Sequence, residues 1–306
     1  MPTYTLRQLE YFAAVAEARS ISSAAADLHV TPTAVASALT ELERVLRTQL
    51  VVRRKAHGIT LTPTGRYLHE RIAGLLHEAD ELELAAAGGG DELVGPLVLG
   101  CYSTVAPTVV PTLMEWVREN HPRVELTMVT GSQAELPHRL LTGGLDLAIG
   151  YDIGLPEGLD SVLLYSAPPY ALLPAEHHLA QGESVSITDL AAEPMVMLDL
   201  PPAAQHTLQL FAKSGATPRV VQRTTDFELT RSLVARGFGY SVLIQRPAVN
   251  RSYEGLPLAL REIVPPDPAA NVLMMWPHDV RLNDRAAALV EFATGNADRL
   301  DPRNRA

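Results

Sequence analysis

Cysteine is almost absent from the chain. Cys101 is the single one in 306 residues, so no disulfide can close within it, and a reducing, cytoplasmic setting is expected. No apolar run approaches the roughly 18 to 20 residues that cross a bilayer, so no membrane partner is expected. Residues 1–19 interleave Arg7, Glu10 and Glu17 with apolar side chains, which leaves no core for a signal peptide. Motifs of catalysis are missing as well: there is no nucleophile elbow, phosphate loop or metal-hydrolase pattern. Gly237-Phe238-Gly239 lacks the third glycine and following helix of a dinucleotide fingerprint. His177-His178 have no partner at ligand spacing and read as loop histidines. Cys101 has no resolving thiol and reads as a small apolar residue at a strand end. The expectation is therefore a protein that is not an enzyme and has no cofactor and no metal.

What is present is a large apolar fraction, 47%, and a charge of −10 that is unevenly spread. Residues 1–67 hold eight bases against five acids, a local surplus of three, so the rest of the chain carries −13. Between 44 and 66 there are six bases and no acid. One compact basic segment on an acidic carrier reads as a local nucleic-acid-binding module.

The pattern around that segment gives it a shape. Leu9, Phe12, Ala13 and Ala16 lie on one face of a helix over 6–18. Ser20 or Ser22 can cap a short second helix rich in small residues, Ala24, Ala25 and Ala26. Thr31 as N-cap and Pro32 at the first helical position open a third, with Val35, Leu39, Leu42 and Leu46 at core spacing. Two β-prone runs follow around a basic turn, 50–62, a hairpin wing. Leu68, Ile72, Leu75, Ala79 and Leu82 then repeat at alternating steps of four and three, a seam suited to a dimerising helix. Gly88-Gly89-Gly90 ends it as a flexible hinge.

From residue 95 strands alternate with helices, which predicts an α/β domain with mostly parallel strands. Strands are expected at 97–101, 124–129, 145–149, 170–174, 195–198, 219–223, 239–244 and 272–276. Helices are expected at 105–120, 134–142, 203–214, 226–236 and 283–296. Open sheets bind ligands beyond the carboxyl ends of their strands. That rule selects Tyr102, Ser103 and Thr104; Thr130 and Ser132; Asp199 and Pro202; and Thr225 with the neighbouring Phe227. Hydroxyls and helix N-termini there suit a carboxylate or other anion, although Asp199 and Asp226 oppose a highly charged one.

Several stretches resemble the LysR-type transcription regulators in order and spacing. These are Leu6-Arg7-Gln8-Leu9-Glu10-Tyr11-Phe12, Ser20-Ile21-Ser22-Ser23-Ala24-Ala25, Leu28-His29-Val30-Thr31, Leu42-Glu43 and Leu61-Thr62-Pro63-Thr64-Gly65. More loosely, Gly95-Pro96-Leu97, Gly143-Gly144-Leu145-Asp146-Leu147-Ala148-Ile149 and Gly237-Phe238-Gly239-Tyr240 look like that family's effector-domain signatures. The resemblance implies a winged helix-turn-helix over 1–65, a linker helix over 66–87 and a hinge over 88–94. It further implies a two-lobed, periplasmic-binding-protein-like α/β effector domain over 95–298 and a tail over 299–306. Lobe I would take about 95–167 and 269–298, and lobe II about 168–268. The implied partners are operator DNA, a small-molecule effector held at the segments named above, and further copies of the chain as dimer and tetramer. Candidate DNA contacts are Ser22, Ser23, Thr31, Pro32, Thr33 and Ser37 for base edges and phosphates, with Arg53, Arg54, Lys55, His57 and Thr62 at and beside the wing. This chain departs from the family in carrying Thr31-Pro32-Thr33 for Ser-Gln-Pro, Ser37 where an arginine is frequent, and Val51-Val52-Arg53 for Phe-Glu-Arg. Its recognition helix is thus short of bases, and the wing must supply more of the electrostatic grip.

Overall fold

A computed structural model describes residues 3–54, 58–86, 92–266 and 268–305. Lys55, His57 and the glycine triplet 88–90 lie outside them, and of Arg53 and Arg54 only the backbone is described. The chain divides into two compact units, Met1–Gly95 with His138–Leu145, and Pro96–Pro137 with Asp146–Ala306.

In the first unit Thr5 and Gln8 form a reciprocal capping box that starts α1 (Leu6–Ala18). Ser20 caps α2 (Ile21–Asp27), and Thr31 caps α3 (Pro32–Leu46) with Pro32 in the first turn. The core takes Leu9 and Phe12 of α1, Ala24 and Ala25 of α2, and Val35, Leu39 and Leu42 of α3, as helical spacing expects, but Val15 and Tyr11 of α1 are buried with them where the spacing named Ala13 and Ala16, which are half-buried. Ala24 and Ala25 are small enough to let α3 cross close to α2. The wing is an antiparallel pair, β1 (Val51–Arg54) and β2 (Gly58–Leu61). β2 sits against the end of α1, where Ile59 N–H donates to the Arg19 carbonyl at 2.9 Å. Gly58 has φ +69°, and a Cβ there would lie 2.8 Å from that same carbonyl, so glycine is required on two counts. α4 (Pro63–Ala86) follows. Its seam divides: Ile72 is buried and Leu68 and Leu76 pack on the core, while Leu75 and Leu82 are 40% and 74% exposed.

From residue 95 the chain runs β3 (Gly95–Tyr102), α5 (Ala106–Asn120), β4 (Val124–Gly131), α6 (Glu135–Leu141), β5 (Leu147–Tyr151), β6 (Leu159–Ala167), β7 (Tyr170–Pro174), β8 (Ser184–Ser186), α7 (Ile187–Ala192), β9 (Pro194–Leu198), α8 (Ala203–Lys213), β10 (Arg219–Thr224), α9 (Phe227–Ala235), β11 (Ser241–Leu243), β12 (Leu258–Val264), β13 (Ala270–Pro277), α10 (Asp284–Gly295) and α11 (Ala297–Leu300). One sheet has the order β4-β3-β5-β13-β6; the others are β11-β7-β12-β8 and β10-β9.

The sheets are mixed, not mostly parallel. β3 pairs with β5, β9 with β10 and β8 with β12 in parallel, but β13 runs antiparallel to both β5 and β6, and β7 antiparallel to β11 and β12. The strands β6, β8 and β12 have no counterpart among the sequence expectations. Their runs are half-exposed or carry charges, as Arg261 and Glu262 do in β12, so they lack the apolar signature of strands covered on both faces.

Candidate functional site

α3 separates its faces cleanly. Val35, Leu39 and Leu42 are fully buried, whereas Thr31, Pro32, Thr33, Ala34 and Ser37 are exposed in a continuous strip at its N-terminal half. Ser22 and Ser23 are exposed at the start of α2. Ala38, on the same helix, is half-buried against the core. Arg44 at the far end is paired with Glu41 one turn earlier, so this part of the basic segment is partly neutralised on the spot.

Two motif residues turn out to hold the wing. Glu43 Oε1 accepts the N–H groups of Leu50 (2.8 Å) and Val51 (3.1 Å), tying α3 to β1. Thr62 donates to the Gln49 carbonyl at 2.7 Å and accepts the Gly65 N–H at 3.0 Å, so its hydroxyl is engaged within the unit as the cap of α4. Glu43→Ala leaves two backbone donors without that charged acceptor. It should cost about 1–3 kcal/mol, seen as a lower denaturation midpoint of this unit with the second unit unmoved.

In the second unit a narrow pocket, with an inner free volume of only about 20 Å³, is lined by Tyr102, Thr104, Tyr151, Leu198, Pro202, Ala203, Thr207, Phe227 and 242–245. Of the expected effector residues, Tyr102, Thr104, Pro202 and Phe227 line it. Ser103, Thr130, Ser132, Asp199 and Thr225 do not. Ser103, Thr130 and Thr225 are exposed. Ser132 accepts the Glu135 N–H. Asp199 sits 3.3 Å from Arg223, and Asp226 caps α9 through the Leu229 N–H at 2.6 Å. Sequence reasoning missed Tyr151, Thr207 and the segment 242–245. Tyr151 ends β5, but the strand was expected to stop two residues earlier, which hid it from the strand-end rule.

The polar atoms in and around the pocket fall into two hydrogen-bonded sets. Gln245 donates to Thr108 Oγ1 (2.6 Å) and accepts from the Tyr165 hydroxyl (3.0 Å). Tyr102 donates to the Pro201 carbonyl (3.0 Å) and meets Tyr151 edge-on at 5.6 Å. Burial raises the Tyr102 and Tyr165 hydroxyls to about 12 and Tyr151 further still, so all three remain neutral hydrogen-bonding groups. No charged side chain lines the pocket. The nearby guanidiniums are committed elsewhere, Arg246 over the Tyr170 ring at 4.6 Å and against Glu262, and Arg231 against Glu228.

Residues 6–66 match the bacterial regulatory helix-turn-helix proteins of the lysR family, and residues 90–298 match the LysR substrate binding domain. The chain belongs to the LysR family of transcriptional regulators. It is similar to a probable hydrogen peroxide-inducible genes activator of Mycobacterium avium, 31% identical over 277 residues, 89% of this chain and 88% of that one. Among solved structures it resembles HinK, a LysR family regulator from Pseudomonas aeruginosa, at 30% identity and TM-score 0.64 across 96% of this chain and 99% of that one. The C-terminal domain of a probable LysR family regulator from Rhodococcus sp. RHA1 is 37% identical, with TM-score 0.64, and covers 66% of this chain and all of that one.

As a LysR-type regulator the chain binds DNA through the helix-turn-helix and is controlled by a small molecule bound by its C-terminal domain. Among the described residues no helix is long and apolar enough to cross a membrane. Cys101 is fully buried in β3, and desolvation pushes its thiol far above the ordinary cysteine range. A thiol held in that state is a poor nucleophile.

Proposed function

We propose that this LysR-type regulator reads its operator with Thr31, Pro32, Thr33 and Ser37, aided by Ser22 and Ser23, while Arg53, Arg54, Lys55 and His57 grip phosphates. The support is the exposed strip on α3 beside a fully buried core face, in a helix whose exposed N-terminal half carries no base. Leu75 and Leu82, the seam positions left exposed on α4, are the contacts offered to a second linker helix, and two such dimers make the tetramer. The protein works in the cytoplasm, where its DNA is, as a regulator without catalysis. Changing Arg53 and Arg54 together to alanine should lower the slope of log affinity against log salt by about 2. Gel shifts of upstream DNA across a salt series would measure it; an unchanged slope would remove the wing from the contact.

The effector is a small, largely apolar molecule with a hydrogen-bond acceptor, not a polyanion. The carrying observation is a pocket walled by Tyr102, Tyr151, Leu198 and Phe227, with Thr104, Thr207 and Gln245 as its polar points and no charged group. This replaces the anion suggested by the strand-end rule. Some relatives are named as hydrogen peroxide-inducible activators, but a thiol-disulfide switch inside one chain needs two cysteines, and here the one thiol is buried. A ligand, not oxidation, is the trigger. At one hundred times its Kd such a ligand should stabilise the protein by about 2.7 kcal/mol. Ala203→Trp, which puts an indole on the pocket wall, should abolish the thermal shift while DNA binding persists. A shift of the same size in that variant and in Phe227→Ala would place the effector elsewhere.

A further inference from the structure

The histidine pair 177–178, without a partner in the sequence, finds one in the fold. His177 follows β7, and His178 opens a short 3-10 turn, His178–Ala180. Glu193 ends α7 and directly precedes β9. His177 Nε2 lies 3.7 Å from Glu193 Oε2, and His178 Nε2 lies 3.5 Å from Oε1. The two imidazoles stack with centroids 4.6 Å apart and 27° between planes, and three donor atoms, one from each residue, lie within 4.8 Å of one another.

Hydrogen bonding accounts poorly for this arrangement. Both nitrogen-to-oxygen separations are at or beyond the length at which N–H···O bonds hold. Two imidazoles and one carboxylate converging from two chain segments are what a first-row transition-metal cation takes, at about 2.0–2.2 Å per bond. Donors on a common ion at those lengths are about 3.0–3.5 Å apart, so closure needs movements of a few tenths of an ångström along the known contacts, and more across the widest pair. His178, whose side chain is 68% exposed, is free to make them.

We propose that His177, His178 and Glu193 form a binding site for a zinc- or nickel-class divalent cation, with its remaining coordination positions open to water. The site lies at the start of β9, and Leu198 at the other end of the same strand lines the effector pocket. One local change accompanies binding. His177 Nδ1 accepts the Leu179 N–H at 3.2 Å, which leaves the ring proton on Nε2. A cation at Nε2 moves that proton to Nδ1 and releases Leu179, so the 3-10 turn must readjust.

The test uses the full chain, stripped with a chelator and titrated with zinc chloride in a calorimeter, then with cobalt chloride for its visible d–d bands. We expect one zinc equivalent to weaken at least about tenfold in Glu193→Gln and again in His178→Ala, with loss of the cobalt bands in both. His278→Ala, which removes one member of the exposed His278–Asp160 pair, should change neither. Thermal melts of the metal-free variants confirm that each is folded, and His178→Ala, at an exposed position, is the safe one. Zinc uptake and cobalt spectra unaltered in Glu193→Gln and His178→Ala, or no uptake by the wild type, would overturn the assignment.

Discussion

Gly65→Ala should destabilise the DNA-binding unit by about 3 kcal/mol or more and abolish operator binding, against the expectation from helix propensity. Gly65 lies in the first turn of α4, where alanine ordinarily gains up to about 1 kcal/mol over glycine. Packing reverses the sign. A Cβ on Gly65 would lie 2.1 Å from the Leu50 carbonyl oxygen, 3.0 Å from its carbon and 3.3 Å from its Cα. All three are backbone atoms, so no rotamer change relieves the clash. The same carbonyl accepts the Thr62 N–H at 2.9 Å, and the Leu50 N–H is held by Glu43 at 2.8 Å. Moving Leu50 by an ångström therefore breaks the cap of α4 and the tie from α3 to β1 together, and overpacking of this kind costs 1–3 kcal/mol before those losses are added. Because the chain forms two units, calorimetry should show one transition lowered and the other unmoved. Gly295→Ala, with nothing within 4 Å of its Cβ, is the matched control and should be near neutral. Equal behaviour of the two variants would refute the account.

Gly65, Glu43 and Thr62 also mark how far the sequence can be read. Helices α1 and α3 were legible in extent, α1 from apolar spacing alone and α3 from that spacing together with the Thr31 cap and Pro32, while the Thr5–Gln8 capping box of α1 was not read. The motif positions were legible as a pattern but not as mechanics. Nothing in Leu42-Glu43 or Thr62-Pro63-Thr64-Gly65 says that one carboxylate and one hydroxyl fasten the wing, since their partners are backbone groups several residues away. In the second unit the parallel strands announced themselves as apolar runs, such as Leu147–Tyr151, buried throughout. The returning antiparallel strand β6 did not, because its first half is open to solvent on alternate residues. The pocket was half-legible for the same reason. The strand-end rule reached Tyr102, Thr104, Pro202 and, next door, Phe227, but the segment 242–245 is the end of β11 and the two residues after it, and β11 runs against β7, whereas the rule speaks only for parallel strands. Glu193 was invisible as a partner of His177 because α7 separates them in sequence and only the fold joins them.

Arg231→Ala should destabilise the second unit by about 3–5 kcal/mol and weaken effector binding with it. The Arg231 side chain is 2% exposed in α9; its Nε and Nη2 are committed, while Nη1 is buried without a hydrogen-bond partner. Nε meets Glu228 Oε2 at 2.8 Å, while Nη2 donates to the carbonyls of Val249 and Arg251. Glu228 in turn accepts the Tyr253 N–H through its other oxygen, so one guanidinium anchors the whole segment after β11 to the helix. Truncation opens a cavity, strands two carbonyls and leaves Glu228 without its cation, and breaking one side of a buried ion pair costs about 3–5 kcal/mol. Lysine does not rescue it, because a single ammonium cannot span the fork that reaches a carboxylate and two carbonyls at once. Arg231→Met separates the contributions: it refills much of the volume and leaves the carbonyls unpaired, so a loss between wild type and alanine is expected. Glu228→Gln, at a position 37% exposed, keeps an acceptor for Nε and should cost the least. The link to function is one turn of helix: Phe227, a wall of the pocket, starts α9, so its ring is placed by the same anchoring. Urea melts of the four variants, read beside effector-induced thermal shifts, give the order Glu228→Gln, Arg231→Met, Arg231→Ala if this holds. An alanine variant as stable as wild type would show that the segment after β11 is held by something other than this arginine.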